Sequence, residues 1–557
     1  MTIEEFKKKP SFYPLMIAAV SAAFALPILL WGVPSGNDMP QHFQFAQAFK
    51  ENILYGVLHP GWAADPNSGL GDVGIRFYPP LAYYVLTFFF VITGSWQLAA
   101  FLAVWTFFFV GGLGIFYWSR DMFSRGAALF GAIAYIALPY HVNQIYNAFF
   151  FAEFAAAAIL PFCFWFAARV ANSANKRDIA GLAASYALLI LAHIPSALFG
   201  SIALVFFSLV SLPKQGREAA IKRLGWSAAI GLGASGFYWI RTVSELSYLK
   251  HAGQEFISGA FDFRINFLGA CPFVSETDYY GRSLWFGDMM LAITLVLAVI
   301  AALIYYSAGR KAEKPRMAGV LTLLAFGLFL ATPLSMPIWN NITILQRVQF
   351  PFRLLSLIGV GAAIIAAAGA YRIKHGMSRG SRALAVSLFG LLAITIAFSA
   401  LQIIRPAIYI KSIDFAAKMN EIASAKSCEC WWPVWAKPGA LKNTDKVNAG
   451  GREVTFRYWT PEKWRFKVAA GEESVARIGT FYYPQWRATI NGNDAPLGHD
   501  ADGVILIGLP KTEADVKLVF EEAFLTEAAR SVSAVAWIVI LWFAILAIGR
   551  GGEQFKF

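Results

Sequence analysis

Pro34-Ser-Gly-Asn-Asp-Met-Pro-Gln-His42 follows at once on the first long apolar run, Phe12 to Trp31, and its reading decides how the rest of the chain is understood. An acid at the mouth of a membrane-length segment is costly beside lipid unless it has a partner or a task. One reading makes Asp38 the centre of a reaction. The other makes Asn37 and Asp38 caps for the amphipathic run Met39 to Lys50, with Pro40 in its first turn.

Composition outside this stretch points to a membrane. The chain has 557 residues, 57% hydrophobic and only 15% charged, with mean hydropathy +0.53. Soluble domains carry about a quarter charged residues, so a mainly α, polytopic membrane protein is expected. About twelve apolar stretches approach the length that crosses ~30 Å of hydrocarbon at ~1.5 Å per residue. They lie near 12–31, 97–117, 127–140, 152–171, 179–194, 196–212, 224–241, 288–307, 317–333, 352–371, 383–402 and 531–549. The first run is long for a signal peptide and no small-residue cleavage site follows it, so it reads as a retained helix.

The formal charge of +13 sits mostly in short loops between these stretches, where Lys and Arg set orientation, and nucleic-acid binding is excluded. With Lys7, Lys8 and Lys9 cytoplasmic, Asp38 lies outside. The clusters Arg120/Arg125, Lys176/Arg177, Lys214/Arg217/Lys222/Arg223, Arg310/Lys311/Lys314/Arg316 and Arg372/Lys374/Arg379/Arg382 then fall inside, with Arg550. The condition is that Leu81 to Ile92 lies against the outer leaflet without crossing. Pro79 and Pro80 obstruct its start, and the run is short. Both termini are then cytoplasmic.

Three parts are expected: a transmembrane module over 1–402 with its first outward loop at 33–96, an outward domain over 403–527, and a last helix with its tail over 528–557. The outward domain reads as a small β-sandwich. Period-2 runs occur at 452–458, 464–468, 504–507 and 516–520, and Asn491-Gly492 offers a hairpin turn. Cys163 lies in an apolar run, while Cys271, Cys428 and Cys430 fall outside, leaving one disulfide open among them.

Six of the seven histidines, all but His375, fall on the outward side or at an outward helix end. Asp38 and Glu153 join them, which gathers titratable groups into one layer. On a helix Asp38 and His42 share a face, so the carboxylate could take a proton from an acceptor hydroxyl while the imidazole orients it or shares a metal. Glu153 needs a partner or serves as a favourable charge at a helix start. Asp38 and Glu153 are the acids available to a divalent cation, magnesium or manganese. Arg347 and Arg353 flank Gln349 and offer planar forks to phosphate oxygens, with snorkelling as the alternative. His141, Tyr146 and His193 line the same layer as substrate contacts or interfacial anchors. No Walker A loop, dinucleotide fingerprint or H-E-x-x-H helix occurs, and no nucleotide, flavin or haem is expected.

Gly36-Asn-Asp38-Met-Pro-Gln-His42, Arg76-Phe-Tyr-Pro-Pro-Leu-Ala-Tyr-Tyr84, Leu138-Pro-Tyr-His-Val-Asn-Gln-Ile-Tyr146 with Glu153, and Gln349-Phe-Pro-Phe-Arg353 together carry a resemblance. They resemble the bacterial membrane proteins labelled as related to 6-pyruvoyl-tetrahydropterin synthase, which are similar to the glycosyltransferase C superfamily. Tyr482-Tyr-Pro-Gln-Trp-Arg-Ala-Thr-Ile-Asn-Gly492 is similar to the outward β-domain of that superfamily. The resemblance implies a glycosyltransferase C-like arrangement in the bacterial inner membrane. It implies transfer of a sugar from a polyprenyl-phosphate donor to an envelope glycan or glycolipid on the periplasmic side, usually with inversion. Asp38 would be the base, with the proline-rich segment Tyr78 to Tyr84 beside it and Arg76 and Tyr78 as substrate contacts. The chain departs in having no Asp-x-Asp pair in the second outward loop, and Asn37-Asp38 where protein mannosyltransferases carry Asp-Glu. Competing expectations are a polymerase or ligase using lipid pyrophosphate donors, a transporter of lipid-linked glycans, and a scaffold indifferent to Asp38.

Overall fold

A computed structural model describes residues 11–250, 258–269, 279–307, 314–375 and 377–549. Lys7, Lys8, Lys9, Cys271, Arg310, Lys311 and Arg550, on which parts of the expected topology and disulfide rest, lie outside the described residues.

A helix stands at each expected span, but not all are equal. Among the described residues eight are long and apolar enough to cross a membrane, or nine if Met317–Ala331 and Pro333–Asn341, bent by 79°, form one broken span. The other three expected spans fall short for separate reasons. Arg125–Ala137 has 13 residues and breaks at Leu138, where Pro139 starts a new helix. Lys176–Ala192 has 17 residues and ends at His193. Arg217–Ala234 begins with Arg217, Glu218, Lys222 and Arg223, and a break at Ser235 divides it from Gly236–Glu245. The apolar helix Leu81–Thr93 has 13 residues, too few to cross.

The centre of the bundle is Leu355–Lys374, Ala- and Gly-rich and buried along almost its whole length. Small side chains let neighbouring helices approach it closely where lipid supplies no hydrophobic drive. A single turn, Pro351–Leu354, leads into it and places Arg353 at its N-terminal end.

Two sheets build the outward sandwich. One has five antiparallel strands in the order 454–460, 463–468, 514–520, 486–490, 493–495; the other has four, in the order 447–448, 474–481, 504–509, 497–499. Asn491 (φ 52°) and Gly492 (φ 87°) make the expected hairpin turn. Trp464, Phe466, Ile478, Ile505 and Val516 fill the space between the sheets. Cys428 and Cys430 are joined to each other.

The first outward loop is part of this domain's core. Trp62 is fully buried, with ring centroids 5.5 Å from Trp486 and 5.7 Å from Phe520. Arg76, also fully buried, donates Nη2 to Glu245 at 2.6 Å and Nη1 to Glu522 at 2.8 Å, with further bonds from Nε to Glu245 and from Nη2 to Glu522. Tyr483 and Gln485 of the sandwich also donate to Glu245, at 2.7 and 3.0 Å. Burial would raise Glu522, but Arg76, Arg241 and Arg530 hold its carboxyl down to about 2.

The Asp38 turn is fixed from two sides. Val33–Pro34 pairs with Tyr409–Ile410 at the entry to the outward domain, and the Asp38 N–H donates to the Ala148 carbonyl at 3.1 Å. Gly36 is needed there, because a Cβ would lie 2.8 Å from the Asn147 carbonyl oxygen and from the Phe149 amide nitrogen.

Arg76→Met leaves two buried carboxylates without their shared cation, so a loss of about 3–5 kcal/mol is expected, read as a lower melting temperature in detergent. An unchanged melting temperature would contradict the clamp. The Glu522 contribution is complete above the unfolded value of 4.5 and is lost as pH falls toward about 2, so the melting temperature should drop across that window. Gly36→Ala should cost about 1–3 kcal/mol by overpacking against backbone, measured the same way.

Candidate functional site

Asp38 occupies the position before the helix Met39–Leu54, yet its side chain makes no capping hydrogen bond. The capping role that its sequence position offered is therefore not taken up. Asp38 is exposed as a residue, while protein surrounds its carboxyl closely. That burial pushes its carboxyl up to about 6 against the pull of Arg353.

Arg353 is the hub of the group. Its Nη1 donates to the Val348 carbonyl at 2.8 Å, its guanidinium lies 4.8 Å from the Phe350 ring centroid, and its Nε faces Glu153 Oε2 at 3.4 Å. Its charge is felt by Asp38, Tyr78, Tyr140, Glu153 and His193. Gln349, just before it, adopts φ 70°, a strained conformation for a residue with a side chain.

Glu153 is 3% exposed. Its Oε1 accepts from the Tyr140 hydroxyl at 2.5 Å and from Gln144 Nε2 at 2.9 Å. Neither donor stood among the expected site residues. Their i, i+4 spacing in Pro139–Tyr146 was the available signal, since it puts both on one helix face. Among the described residues no three His, Cys, Asp or Glu side chains are grouped to hold a metal ion.

The remaining expected residues divide. Tyr78 is half-buried beside Asp38, whose charge opposes its ionisation after burial has already done so. His42 is buried and turned inward: its backbone N–H donates to the Asp38 carbonyl, but its Nδ1 bonds the Tyr83 hydroxyl at 2.7 Å. Burial lowers its imidazole to about 3, which keeps it neutral. His193 caps the next helix through Ser196, with Nδ1 to Oγ at 2.8 Å. His141 bonds Gln144 at 3.1 Å and packs on Tyr135, its Nε2 facing no partner among the described residues. Tyr146 donates to the Phe24 carbonyl at 2.5 Å and ties the outward turn to the first helix. Arg347 is exposed beyond the group. Arg76, expected to contact substrate, is a correction: its fork is spent on Glu245 and Glu522, and it is sealed from solvent.

A cleft of about 520 Å³ opens elsewhere, between His59, Glu462, Phe520 and Arg530. Glutamates at 462, 521, 522 and 527 line it together with Arg530.

Solved structures similar to the chain include the arabinofuranosyltransferase AftD from Mycobacteria, at 13% identity and TM-score 0.46, covering 74% of this chain and 27% of that one. The oligosaccharyltransferase of Archaeoglobus fulgidus follows at 11% identity and TM-score 0.39, covering 75% and 56%. ArnT from Cupriavidus metallidurans bound to undecaprenyl phosphate gives 14% identity and TM-score 0.32, covering 66% and 79%. The chain thus spans about a quarter of the AftD chain. No curated protein sequence matches it significantly. Residues 75–404, more than half of the chain, match the family described as "6-pyruvoyl-tetrahydropterin synthase related domain; membrane protein", and the chain belongs to that family.

Proposed function

We propose that the protein is an integral membrane glycosyltransferase that moves a sugar from a polyprenyl-phosphate donor to a hydroxyl of an envelope glycan or glycolipid. The observation that carries this reading is an exposed acid, Asp38, close enough to the Arg353 guanidinium for that charge to pull its carboxyl down against burial. One group is suited to accept a proton and the other to neutralise phosphate oxygens. The sequence resemblance to glycosyltransferase C proteins supports the same assignment.

In this mechanism the Asp38 carboxylate takes the proton of the acceptor hydroxyl as that oxygen bonds to the anomeric carbon. The bond from that carbon to the phosphate oxygen breaks, and its electron pair leaves on the phosphate, which Arg353 neutralises. Attack opposite the leaving phosphate inverts the anomeric centre. Tyr78, next to Asp38, would bound the acceptor side. The lipid tail would enter from the outer leaflet, where the helix Leu81–Thr93 exposes Phe88, Val91 and Ile92.

The basic helix ends Arg120, Arg125, Lys176, Arg372 and Arg379 stand at the end of the bundle opposite Asp38, which supports a periplasmic site with those loops in the cytoplasm. Transport is less well supported, because the charges of the site gather at outward helix ends and not at mid-membrane.

The test is sugar transfer by the purified full-length protein in liposomes, supplied with a panel of polyprenyl-phosphate sugars. Asp38→Asn should lower kcat by roughly 10² to 10⁴ without lowering the melting temperature. Unchanged transfer would remove Asp38 from the mechanism. A base must be ionised to act, so wild-type activity should be retained above pH about 6 and lost as pH falls through it. Arg353→Ala should raise the donor KM at least tenfold, about 1.4 kcal/mol or more of lost phosphate binding; an unaltered KM would place the phosphate elsewhere.

A further inference from the structure

Glu153 is buried in the site with Oε1 already held by two donors, and that occupation points to its task. We infer that Glu153 is a positioning residue: braced by Tyr140 and Gln144, it aims the Arg353 guanidinium toward the site of Asp38. This rests on the reading of Arg353 as the phosphate contact given above.

The bracing comes from two directions. Tyr140 and Gln144 lie on the short helix Pro139–Tyr146 and both donate to Oε1, at 2.5 and 2.9 Å. Gln144 also donates to Ser356 Oγ at 3.3 Å, on the helix into which Arg353 leads. The Glu153 carboxylate is thereby fixed relative to the backbone that carries its cation. Oε2 then takes the Arg353 Nε side at 3.4 Å, while Val348 takes Nη1 at 2.8 Å. Nη2 has no partner among the described residues, and the side chain is 17% exposed, so this part of the fork remains for an incoming anion.

A carboxylate 3% exposed, with Oε1 held by two donors and Oε2 facing a guanidinium, is badly placed to exchange a proton with a substrate. It can hold a guanidinium, whose planar fork transmits orientation from one edge to the other. It also divides the attraction of Arg353 between two acids. Asp38 is faced by Arg353 and Glu153 and by Tyr78 and Tyr83 from the neighbouring loop and helix; His42, on its own helix, is turned to Tyr83, and His193 stands beside Arg353. Removing the Glu153 charge leaves Arg353 to Asp38 alone.

The test uses the full-length protein in liposomes with Glu153→Gln, Glu153→Asp and Tyr140→Phe. Two readouts are compared with wild type: the Kd for polyprenyl phosphate, and the kinetics of transfer against pH. Glu153→Gln should weaken polyprenyl phosphate binding at least tenfold and raise the donor KM more than it lowers kcat. It should also move the acid limb of kcat/KM to lower pH than wild type, because an undivided Arg353 favours the ionised Asp38. Glu153→Asp should restore part of the binding, and Tyr140→Phe should move both readouts in the same direction by less. A purely structural role would lower the folded fraction and leave Kd, KM and the acid limb in place. That result in Glu153→Gln, or in Tyr140→Phe should the first variant not fold, would overturn the inference. A wild type that binds polyprenyl phosphate but transfers no sugar would contradict the transfer reading alone, and the binding comparison would still decide the role of Glu153.

Discussion

The structure depends on one buried cluster of charge. Arg76, from the first outward loop, meets Glu245 from the end of a bundle helix and Glu522 from the end of the sandwich, with Arg241 and Arg530 alongside. Arg76, Arg241 and Glu245 are buried and Glu522 nearly so, and such charges are tolerable only as a set, since each alone would be an unpaired buried ion. The set therefore fixes loop, bundle, sandwich and last helix relative to one another. Tyr78 and the Pro79-Pro80 turn follow Arg76 directly, so the same cluster holds the wall beside Asp38.

A second arrangement of charge sits closer to the chemistry. Asp38, Arg353 and Glu153 alternate in sign, and they come from the first loop, the central helix and the helix Phe151–Asn172. The two acids differ in environment. Glu153 is buried with two donors on Oε1, whereas Asp38 is an exposed residue. In the proposed mechanism this difference separates the tasks: a fixed acid orients the cation, and an exposed one meets the substrate.

Much of the fold was legible because membranes impose length and polarity on helices. The twelve apolar stretches became helices, and the short run Leu81 to Ile92 stays too short to cross, as the loop charges required. The strands at 463–468, 504–509 and 514–520 followed from period-2 alternation. The breaks at Leu138 and Ser235 were missed because hydropathy continues across them. The helix Ser412–Ser424, in a polar stretch, gave no run to notice, although Phe415 packs on Phe43 at 4.8 Å. Within the site, residue type singled out Asp38, Glu153 and Arg353. It could not separate an arginine that awaits a ligand from one spent in a clamp, because Arg76 and Arg353 differ only in partners hundreds of residues away. For the same reason Tyr140 and Gln144 were passed over in favour of His141 and Tyr146 in the same short helix.

The central claim is a location: phosphate at Arg353, acceptor hydroxyl at Asp38. The most direct measurement is an experimental structure of the full-length protein in lipid with a non-transferable polyprenyl-phosphate sugar. The account predicts phosphate oxygens within hydrogen-bond reach of the Arg353 guanidinium, roughly 3 Å, with the sugar directed toward Asp38. Density for the phosphate in the cleft beside His59 and Arg530, with only solvent at Asp38 and Arg353, would contradict it.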